Sequence, residues 1–267
     1  MSSIKYRSKT GNQILIPFVL PIAILVTWQV TTSINLIDES LLPTPVAVIS
    51  KCITLIQSGE LQRNMSISLY RATSGLLLGG TLGFVFGSVN GVSLFAQRFF
   101  NSSIQMIRNI PHLALIPLVI IWLGIGESAK ISLVAVGVFF PIYINTFHGI
   151  RSIDKSLIEM GSSYGLSKKQ MLMKIIIPGA LPSILMGFRY ALGVMWTTLI
   201  VSETISSSSG IGYMETNAQQ FLDMPTIFLS ILIYAFLGKV CSYVNNSECF
   251  LSRAELIRQL LFFDWQD

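Results

Sequence analysis

Six long apolar stretches, separated by shorter polar segments, dominate the hydropathy pattern of the chain. Each is long enough, or nearly so, to cross a hydrocarbon core of about 30 Å as a helix that rises about 1.5 Å per residue. They cover approximately residues 14–31, 72–96, 108–126, 131–148, 182–205 and 225–244. Pro111 and Pro117 predict a kinked or shortened third helix. The pattern predicts an all-α, polytopic membrane protein with six transmembrane helices.

These stretches also define the predicted domains. Residues 1–13 form a short N-terminal segment, residues 14–244 the six-helix membrane domain, and residues 245–267 a C-terminal tail. Inside the membrane domain, residues 151–178 form the most polar connection. We therefore expect one membrane domain with one prominent loop.

Composition supports a membrane location and excludes several other classes. Hydrophobic residues make up 52% of the chain and charged residues 12%, against about 25% charged in soluble domains, and the mean hydropathy is +0.65. The net charge of +5 does not indicate nucleic-acid binding, because the cations lie between apolar stretches and not on one helix face. Three cysteines without a Cys-x-x-Cys pair, and only two histidines, predict neither a disulfide framework nor a metal site.

The distribution of cations predicts the orientation. With the N-terminus in the cytoplasm, thirteen of the eighteen lysines and arginines lie on the cytoplasmic side, as the positive-inside rule requires. No small-x-small cleavage pattern follows the first stretch, so we interpret it as a retained span and not as a signal peptide. Both termini and residues 151–174 are then cytoplasmic. The cations left in external segments are Lys51, Arg63, Arg71 and Lys130.

A glycine recurs at every fourth position of the second apolar stretch. In a helix this spacing makes one smooth, slowly rotating stripe that lets another helix approach closely. Smooth contacts can also slide, as alternating access requires, but the pattern alone indicates a packed bundle more than a transporter. The helix-packing residues are Gly75, Gly79, Gly83 and Gly87.

The polar segment after the fourth stretch predicts two short helices joined at a glycine. Ser152 to Lys155 offer a cap for the first helix, and Gly165 can adopt the positive φ that ends it. Ser167 then caps a second helix, residues 168–177, which Pro178 follows. The expected result is a compact knob on the cytoplasmic side.

The spacing within this segment resembles the cytoplasmic "EAA" loop of ABC-importer permeases. Glu159-Met160-Gly161 is followed by Gly165 and by Ile175-x-Ile177-Pro178, with Met160, Gly161 and Ile177 in place of the family's two alanines and leucine. The resemblance implies that the knob is a coupling helix seated in a groove of a partner ATPase. The implied coupling residues are Glu159, Gly161, Ser163, Tyr164, Gly165, Leu166, Ser167 and Pro178.

The wider resemblance covers roughly residues 14 to 240 and is strongest to aliphatic sulfonate permeases. The stretches that carry it are residues 105–118, 126–130, 140–146, 202–205 and 210–213. It implies the six-helix, MetI-like fold of type I binding-protein-dependent importers in the bacterial inner membrane. It also implies a homodimer working with two ATPase subunits and a periplasmic or lipid-anchored binding protein. The chain itself would be non-catalytic and bind no cofactor, because ATP and Mg²⁺ belong to the partner.

Other functions stay open at this point. Taurine, nitrate and bicarbonate permeases share much of the pattern, so the solute could be another small anion. A secondary transporter would need coupling-ion groups in mid-membrane and would more often show a repeated half, and neither is evident. A structural membrane protein would have no reason to carry this loop, residues 151–178, hereafter the coupling segment.

Ionisable residues inside the fifth stretch are candidates for a solute pathway. Arg189 and Glu203 lie on nearly one helical face but about 20 Å apart, too far to pair. Trp196 and Thr197 lie between them, on or beside that face. This face lines the pathway in one hypothesis; in the other, Arg189 extends to the cytoplasmic interface.

From about Cys241 the chain departs from the family pattern. Ser252-Arg253-Ala254-Glu255 fits a capping box, and Leu256, Ile257, Leu260 and Leu261 follow on one helical face. The tail is either an interfacial amphipathic helix or the product of an altered reading frame in the source gene.

Overall fold

The computed structural model describes residues 12–34 and 36–246. The predicted N-terminal segment up to residue 11 and the tail from residue 247, with its expected amphipathic helix, lie outside the described residues. The described part is helical, with no strand in it, which confirms the all-α prediction.

Short turns join the helices, and two irregular turns occur. A 3₁₀ turn, His112–Leu115, precedes α5, and a π-helical turn, Leu172–Ile176, joins α8 to α9. The α-helices are α1 (Asn12–Ser33), α2 (Pro45–Gln57), α3 (Glu60–Val92), α4 (Leu94–Arg108), α5 (Ile116–Leu123), α6 (Glu127–Arg151), α7 (Lys155–Ser163), α8 (Lys168–Met171), α9 (Ile177–Ser206), α10 (Ile211–Gln220) and α11 (Met224–Asn246).

Three of the described helices are long and apolar enough to cross a membrane unaided: α3, α6 and the continuous helix Lys168–Ile205. A fourth span results if α4 and the helix His112–Leu123 are counted as one broken span. The described apolar parts of α1 and α11 are shorter, Val19–Ser33 and Met224–Val240. The number of six spans therefore stays a prediction.

The third predicted span, residues 108–126, is not a single helix. The axis bends by 86° between α4 and the helix that starts at His112. Pro111 lies in the break, and a proline also disfavours helical geometry in the residue before it. The predicted kink is therefore present, but as a complete break.

By their internal contacts, the described residues up to 62 form one compact unit with residues 214–232, and residues 63–213 form a second with the described residues from 233 onward. In the first unit, Trp28 anchors the segment after α1, since its indole nitrogen donates to the Pro43 carbonyl at 3.0 Å and its ring packs against Phe228. Lys51 of α2 forms a 2.7 Å ion pair with Asp223, the residue before α11. These contacts link α1 to the segment before α2 and to α11, and they link α2 to the residue before α11.

The second unit is built around α6. Its apolar core includes Val134, Val138 and Ile142 of α6 with Ala191 and Leu199 of α9, all with at most 1% of their surface exposed. Glycines also let α9 approach α6, since a Cβ at Gly187 would lie 2.8 Å from Asn145 Cβ. The two helices therefore form the centre of this unit.

The glycine stripe of α3 lies against α6. No side chain larger than hydrogen fits at these positions, because α6 atoms already occupy the space. A Cβ at Gly79 would overlap the Ala135 carbonyl group. At the other positions it would lie 2.5 Å from Val134 Cγ1 (Gly75), 2.6 Å from the Phe139 carbonyl oxygen (Gly83) and 2.8 Å from the Tyr143 carbonyl oxygen (Gly87).

Candidate functional site

The coupling segment begins with a capped helix. The Asp154 carboxylate accepts a hydrogen bond from the Ser156 backbone N–H at 2.9 Å and so caps α7. The same hydrogen bond lowers the pKa of this exposed carboxyl below its ordinary value of 3.8. The predicted cap within residues 152–155 is thereby confirmed, and Asp154 provides it.

Gly165 ends α7 in the conformation expected from the sequence. Its φ is +73°, in the region that glycine enters without strain. Its N–H donates to the Ser162 carbonyl, and the Leu166 N–H donates to the Gly161 carbonyl. These two bonds form a Schellman motif, which satisfies carbonyls at the helix end. The positive φ predicted for Gly165 is confirmed.

Ser167 starts the second helix with a capping box. Its hydroxyl accepts from the Gln170 N–H at 3.3 Å, and its own N–H donates to the Gln170 side chain at 2.9 Å. The predicted cap is confirmed.

The expected end of this second helix at Pro178 is wrong. The chain stays helical from Lys168 to Ile205 and passes through the π-helical turn Leu172–Ile176 on the way. Proline lacks an N–H, and its ring crowds the carbonyl four residues earlier, here that of Lys174. The wider π-helical turn lies at this carbonyl and lets the helix continue. The second helix of the coupling segment is thus the start of the long apolar helix Lys168–Ile205 and not a separate short helix.

Burial divides the predicted coupling residues into two groups. Gly161 is buried between the two helices of the segment, where a Cβ would lie 2.7 Å from Ile175 Cδ1 and 2.9 Å from Met171 Cε. Pro178 is also buried. The residues on the surface, where a partner could contact them, are Glu159, Ser163, Tyr164, Gly165 and Ser167. Leu166 is half-buried.

At the other end of the same long helix lies a buried ion cluster around Arg71. The Arg71 Nε and Nη2 atoms each donate to one Glu127 oxygen at 2.6 Å, and Nη1 donates to Glu203 Oε1 at 2.7 Å. The side chains of Arg71 and Glu203 are 0% and 1% exposed, whereas that of Glu127 is 52% exposed. Carboxylates therefore accept hydrogen bonds from two edges of the planar guanidinium group.

Hydroxyl and backbone groups complete the Arg71 cluster. The Glu203 carboxylate accepts from the Ser68 hydroxyl at 2.8 Å and from the Gly212 N–H at 2.9 Å. Arg71 also donates to the Ser209 carbonyl at 2.7 Å. Gly210, at φ +109°, leaves room for Glu203, because a Cβ there would overlap the carboxylate. The cluster joins the N-terminal part of α3, the start of α6, the end of α9 and the turn before α10.

The sequence reasoning missed this cluster. It assigned Arg71 to an external loop because the apolar stretch starts at residue 72, but α3 begins at Glu60 and Arg71 is buried within it. Lys130 was also assigned to an external segment, but its side chain is 4% exposed and its Nζ lies 3.4 Å from Glu127 Oε1. The available signal was that charges near span ends usually pair with one another.

The four candidate pathway residues do not share one accessible surface. Trp196 is 8% exposed and packs in the apolar core of α3, α6 and α9, and Glu203 belongs to the Arg71 cluster. Arg189 is half-buried. Thr197 is exposed and donates to the Val194 carbonyl of its own helix. The helical face that joins Arg189, Trp196 and Glu203 thus turns toward the protein interior in this chain.

Solved structures show the same fold. The chain superimposes on the MetNI methionine ABC transporter in an inward-facing conformation, with a TM-score of 0.51 and 17% identity over 74% of this chain and 97% of that one. An amino acid ABC transporter solved with histidines gives a TM-score of 0.54 at 18% identity, over 74% and 95%. At these identities the likeness concerns the fold alone, and it supports the MetI-like prediction.

Sequence comparisons give much higher identity. A protein of Escherichia coli K12 named as an aliphatic sulfonates transport permease, SsuC, is 52% identical over 84% of this chain and 85% of that protein. Its Bacillus subtilis namesake is 44% identical over 86% and 83%. The taurine transport system permease TauC of E. coli K12 is 31% identical over 88% of this chain and 87% of that protein. The family model for the inner membrane component of binding-protein-dependent transport systems matches residues 79–245. The chain belongs to this family of inner membrane permease components.

Proposed function

We propose that the chain is the transmembrane permease subunit of an ATP-driven importer for aliphatic sulfonates. The observation that carries the proposal is the 52% and 44% identity to two proteins named as aliphatic sulfonate permeases. The chain spans 85% and 83% of their lengths, so the likeness covers the membrane domain and not a single motif.

The coupling segment supplies the mechanism. Glu159 is exposed in the middle of α7, and Tyr164 and Ser167 are exposed between α7 and α8, where an ATPase groove could receive them. From Lys168 the same helix runs without a break to Ile205. A push on the segment therefore acts directly on a membrane-spanning helix. Two copies would move together when two ATPase subunits close, and the solute would pass between membrane helices that open alternately to either side.

The chemistry of ATP hydrolysis belongs to the partner in this proposal. The chain binds no cofactor of its own, and ATP and Mg²⁺ are held by the ATPase subunits. A periplasmic or lipid-anchored binding protein delivers the sulfonate. The termini and the coupling segment lie in the cytoplasm, as the cation distribution favours.

Taurine is the strongest alternative solute, because a taurine permease is also a relative, at 31% identity. Taurine is itself a sulfonate with an added ammonium group, so the same machine could accept it. The higher identity to the aliphatic sulfonate permeases favours an uncharged alkyl chain.

Sulfur-limited growth tests the solute. A strain that lacks this subunit should fail to grow on ethanesulfonate as sole sulfur source, and the intact gene should restore growth. Growth on sulfate is the control, and growth on taurine separates the two solutes. Unchanged growth on ethanesulfonate without the subunit would contradict the sulfonate assignment. Uptake that needs an ion gradient but no ATPase would indicate a secondary transporter.

Cross-linking tests the machine independently of the solute. A cysteine in place of Tyr164, which is 68% exposed, should cross-link to the ATPase subunit. A cysteine in place of Phe221, which is 75% exposed between α10 and α11, is the matched control and should not. Labelling of the Tyr164 position from the periplasm would contradict the proposed orientation.

A further inference from the structure

We propose that Arg71, held by Glu203 and Glu127, is the outer pivot of the α9 lever and thus a positioning residue for solute transport. This inference rests on the proposed import function. It assigns the buried ion cluster a mechanical role: it keeps the outer ends of α3, α6 and α9 together while their inner ends move.

The first argument is the path of the long helix. Lys168, in the coupling segment, and Glu203, in the cluster, belong to one continuous helix. Its inner end packs on α7 through Met171 and Ile175, which contact Gly161. At its outer end, Glu203 Oε1 accepts a hydrogen bond from Arg71 Nη1 at 2.7 Å. If a force on the inner end is to rotate this helix, its outer end must be held in place, and the cluster holds it.

The second argument is the contrast between the two kinds of contact on α3. Its glycine stripe carries no side chains of its own and meets α6 by close van der Waals contact, with α6 groups such as Val134 Cγ1 lying where a side chain at Gly75 would be. At the outer end, by contrast, Arg71 makes two charged hydrogen bonds of 2.6 Å to Glu127 of α6. Charge-assisted bidentate bonds are among the strongest and most directional contacts in proteins. These directional bonds hold the Arg71 end of α3 to α6 more firmly than the nonpolar contacts along the glycine stripe do, and this difference would make the Arg71 end the pivot.

The third argument is that the cluster is complete in itself. Arg71 and Lys130 balance the charges of Glu127 and Glu203. The five Arg71 N–H groups donate to both Glu127 oxygens, to Glu203, and to the carbonyl and hydroxyl of Ser209. No donor of the guanidinium is left for a solute anion, so a direct substrate-binding role does not fit. The turn before α10 is tied in as well, because the Gly210 and Ile211 N–H groups donate to Asn64 and Ser68 of α3.

Distance measurements between spin labels test the pivot without altering the cluster. One label pair replaces Leu69 of α3 and Ile205 of α9, near the outer ends, and the other replaces Val92 and Met173, near the inner ends; all four side chains are exposed. The labels are placed in one copy of the permease in the assembled complex. Between the nucleotide-free and ATP-trapped states, the outer distance should change by less than about 2 Å and the inner distance by more. An outer change as large as the inner one would overturn the proposal.

A paired substitution tests the consequence for transport. Arg71→Met with Glu203→Leu removes both buried charges together, so neither is left unpaired and the protein should still fold. With the pivot lost, ATP hydrolysis stimulated by the binding protein should persist, while the amount of solute imported per ATP falls about tenfold. Arg63→Met, which alters an exposed arginine two turns earlier on α3, is the matched control and should leave the ratio unchanged.

The two proposals fail in different ways. An unchanged solute-to-ATP ratio in the paired variant would show that the cluster only fastens the fold, and the pivot would be rejected. A wild-type complex that hydrolyses ATP without importing any sulfonate would instead contradict the proposed function. The label distances would then still show whether the outer ends of α3 and α9 move together.

Discussion

Arg71 and Glu203 are 132 residues apart in the chain, and their side chains form a buried ion pair of 2.7 Å. Removing one partner of such a pair is costly, because the other charge is left in a site without water. Each member also bonds neighbours from other segments, so the pair joins parts of the chain that are remote in sequence. Removing one member of the pair should therefore lower the stability of the protein as well as its transport activity.

Glu203→Gln should destabilise the protein more than Glu127→Gln. Glu203 is 1% exposed, so the substitution weakens a charge-assisted bond in a dry site, at a cost of about 2 kcal/mol. Glu127 is 52% exposed, and water compensates part of its loss. Thermal unfolding of the detergent-solubilised variants measures the difference. Equal losses would show that the burial of Glu203 does not decide its contribution.

Gly79→Ala should destabilise the contact between α3 and α6. The new methyl group would overlap the Ala135 carbonyl group, which cannot rotate away as a side chain could. We expect a cost of about 1–3 kcal/mol, as for other overpacked sites. Gly193→Ala in α9 is the control, because nothing lies within 4 Å of its added Cβ. Thermal unfolding should separate the two variants, and a tolerated Gly79→Ala would contradict the tight helix contact.

Gly165→Ala should strain the turn of the coupling segment. Its φ of +73° disfavours any residue with a Cβ, by about 1–2 kcal/mol. Gly59, at φ +76° between α2 and α3, provides a control with the same strain elsewhere in the chain. Both alanine variants should lose similar stability, but only the Gly165 variant should lose activity in ATP-driven uptake. Equal uptake by both would contradict a coupling role for the turn.

The local features of the coupling segment could be predicted because their causes are local. A Schellman motif and a capping box each depend on residues within one or two helical turns. The positive φ of Gly165 and the helix cap at Ser167 could therefore be predicted from the sequence. The continuation of the helix through Pro178 was not, because a π-helical turn leaves no comparable composition signal. Hydropathy marked the apolar part of each helix but not its polar ends, and α3 therefore begins well before residue 72.

The Arg71 cluster could not be predicted from the sequence because its partners come from three helices. Spacing along one helix placed Glu203 on nearly the same face as Arg189, too far away to pair with it, and gave no indication that its ion-pair partner lies on α3. Which charges meet depends on how the helices pack, and local patterns do not specify that. A pairing rule for charges near span ends narrows the choice without identifying the pair.

Two carboxyl groups of the first unit should respond to pH in opposite directions. Burial raises the pKa of Glu215 above its ordinary value of 4.5. Its protonated form is then favoured in the folded state, so the stability it contributes is present at low pH and is lost as the pH rises through the raised pKa. Glu215→Gln should therefore gain stability relative to the wild type as the pH rises from about 4 to 7. Unfolding temperatures across this range measure the gain, and a constant difference would contradict it.

Asp223 should show the opposite response. Burial alone would raise its pKa, but hydrogen bonds from Lys51 and Thr226 outweigh this effect and lower the pKa below the ordinary value of 3.8. The stability contributed by the ionised group is then fully present above the ordinary value and is lost as the pH falls through the lowered pKa. Asp223→Asn keeps a capping side chain for α11 but removes this charge.

The unfolding temperature of Asp223→Asn should therefore lie below that of the wild type at neutral pH, and the gap should close as the pH falls below 3.8 and through the lowered pKa of Asp223. Comparing the two proteins at each pH cancels the titration of the other carboxyl groups. Lys51→Met provides the control, because without the ammonium group the pKa of Asp223 should return toward its ordinary value and the gap should shrink at neutral pH. A gap that stays constant with pH in the presence of Lys51 would show that the 2.7 Å ion pair does not stabilise the folded protein.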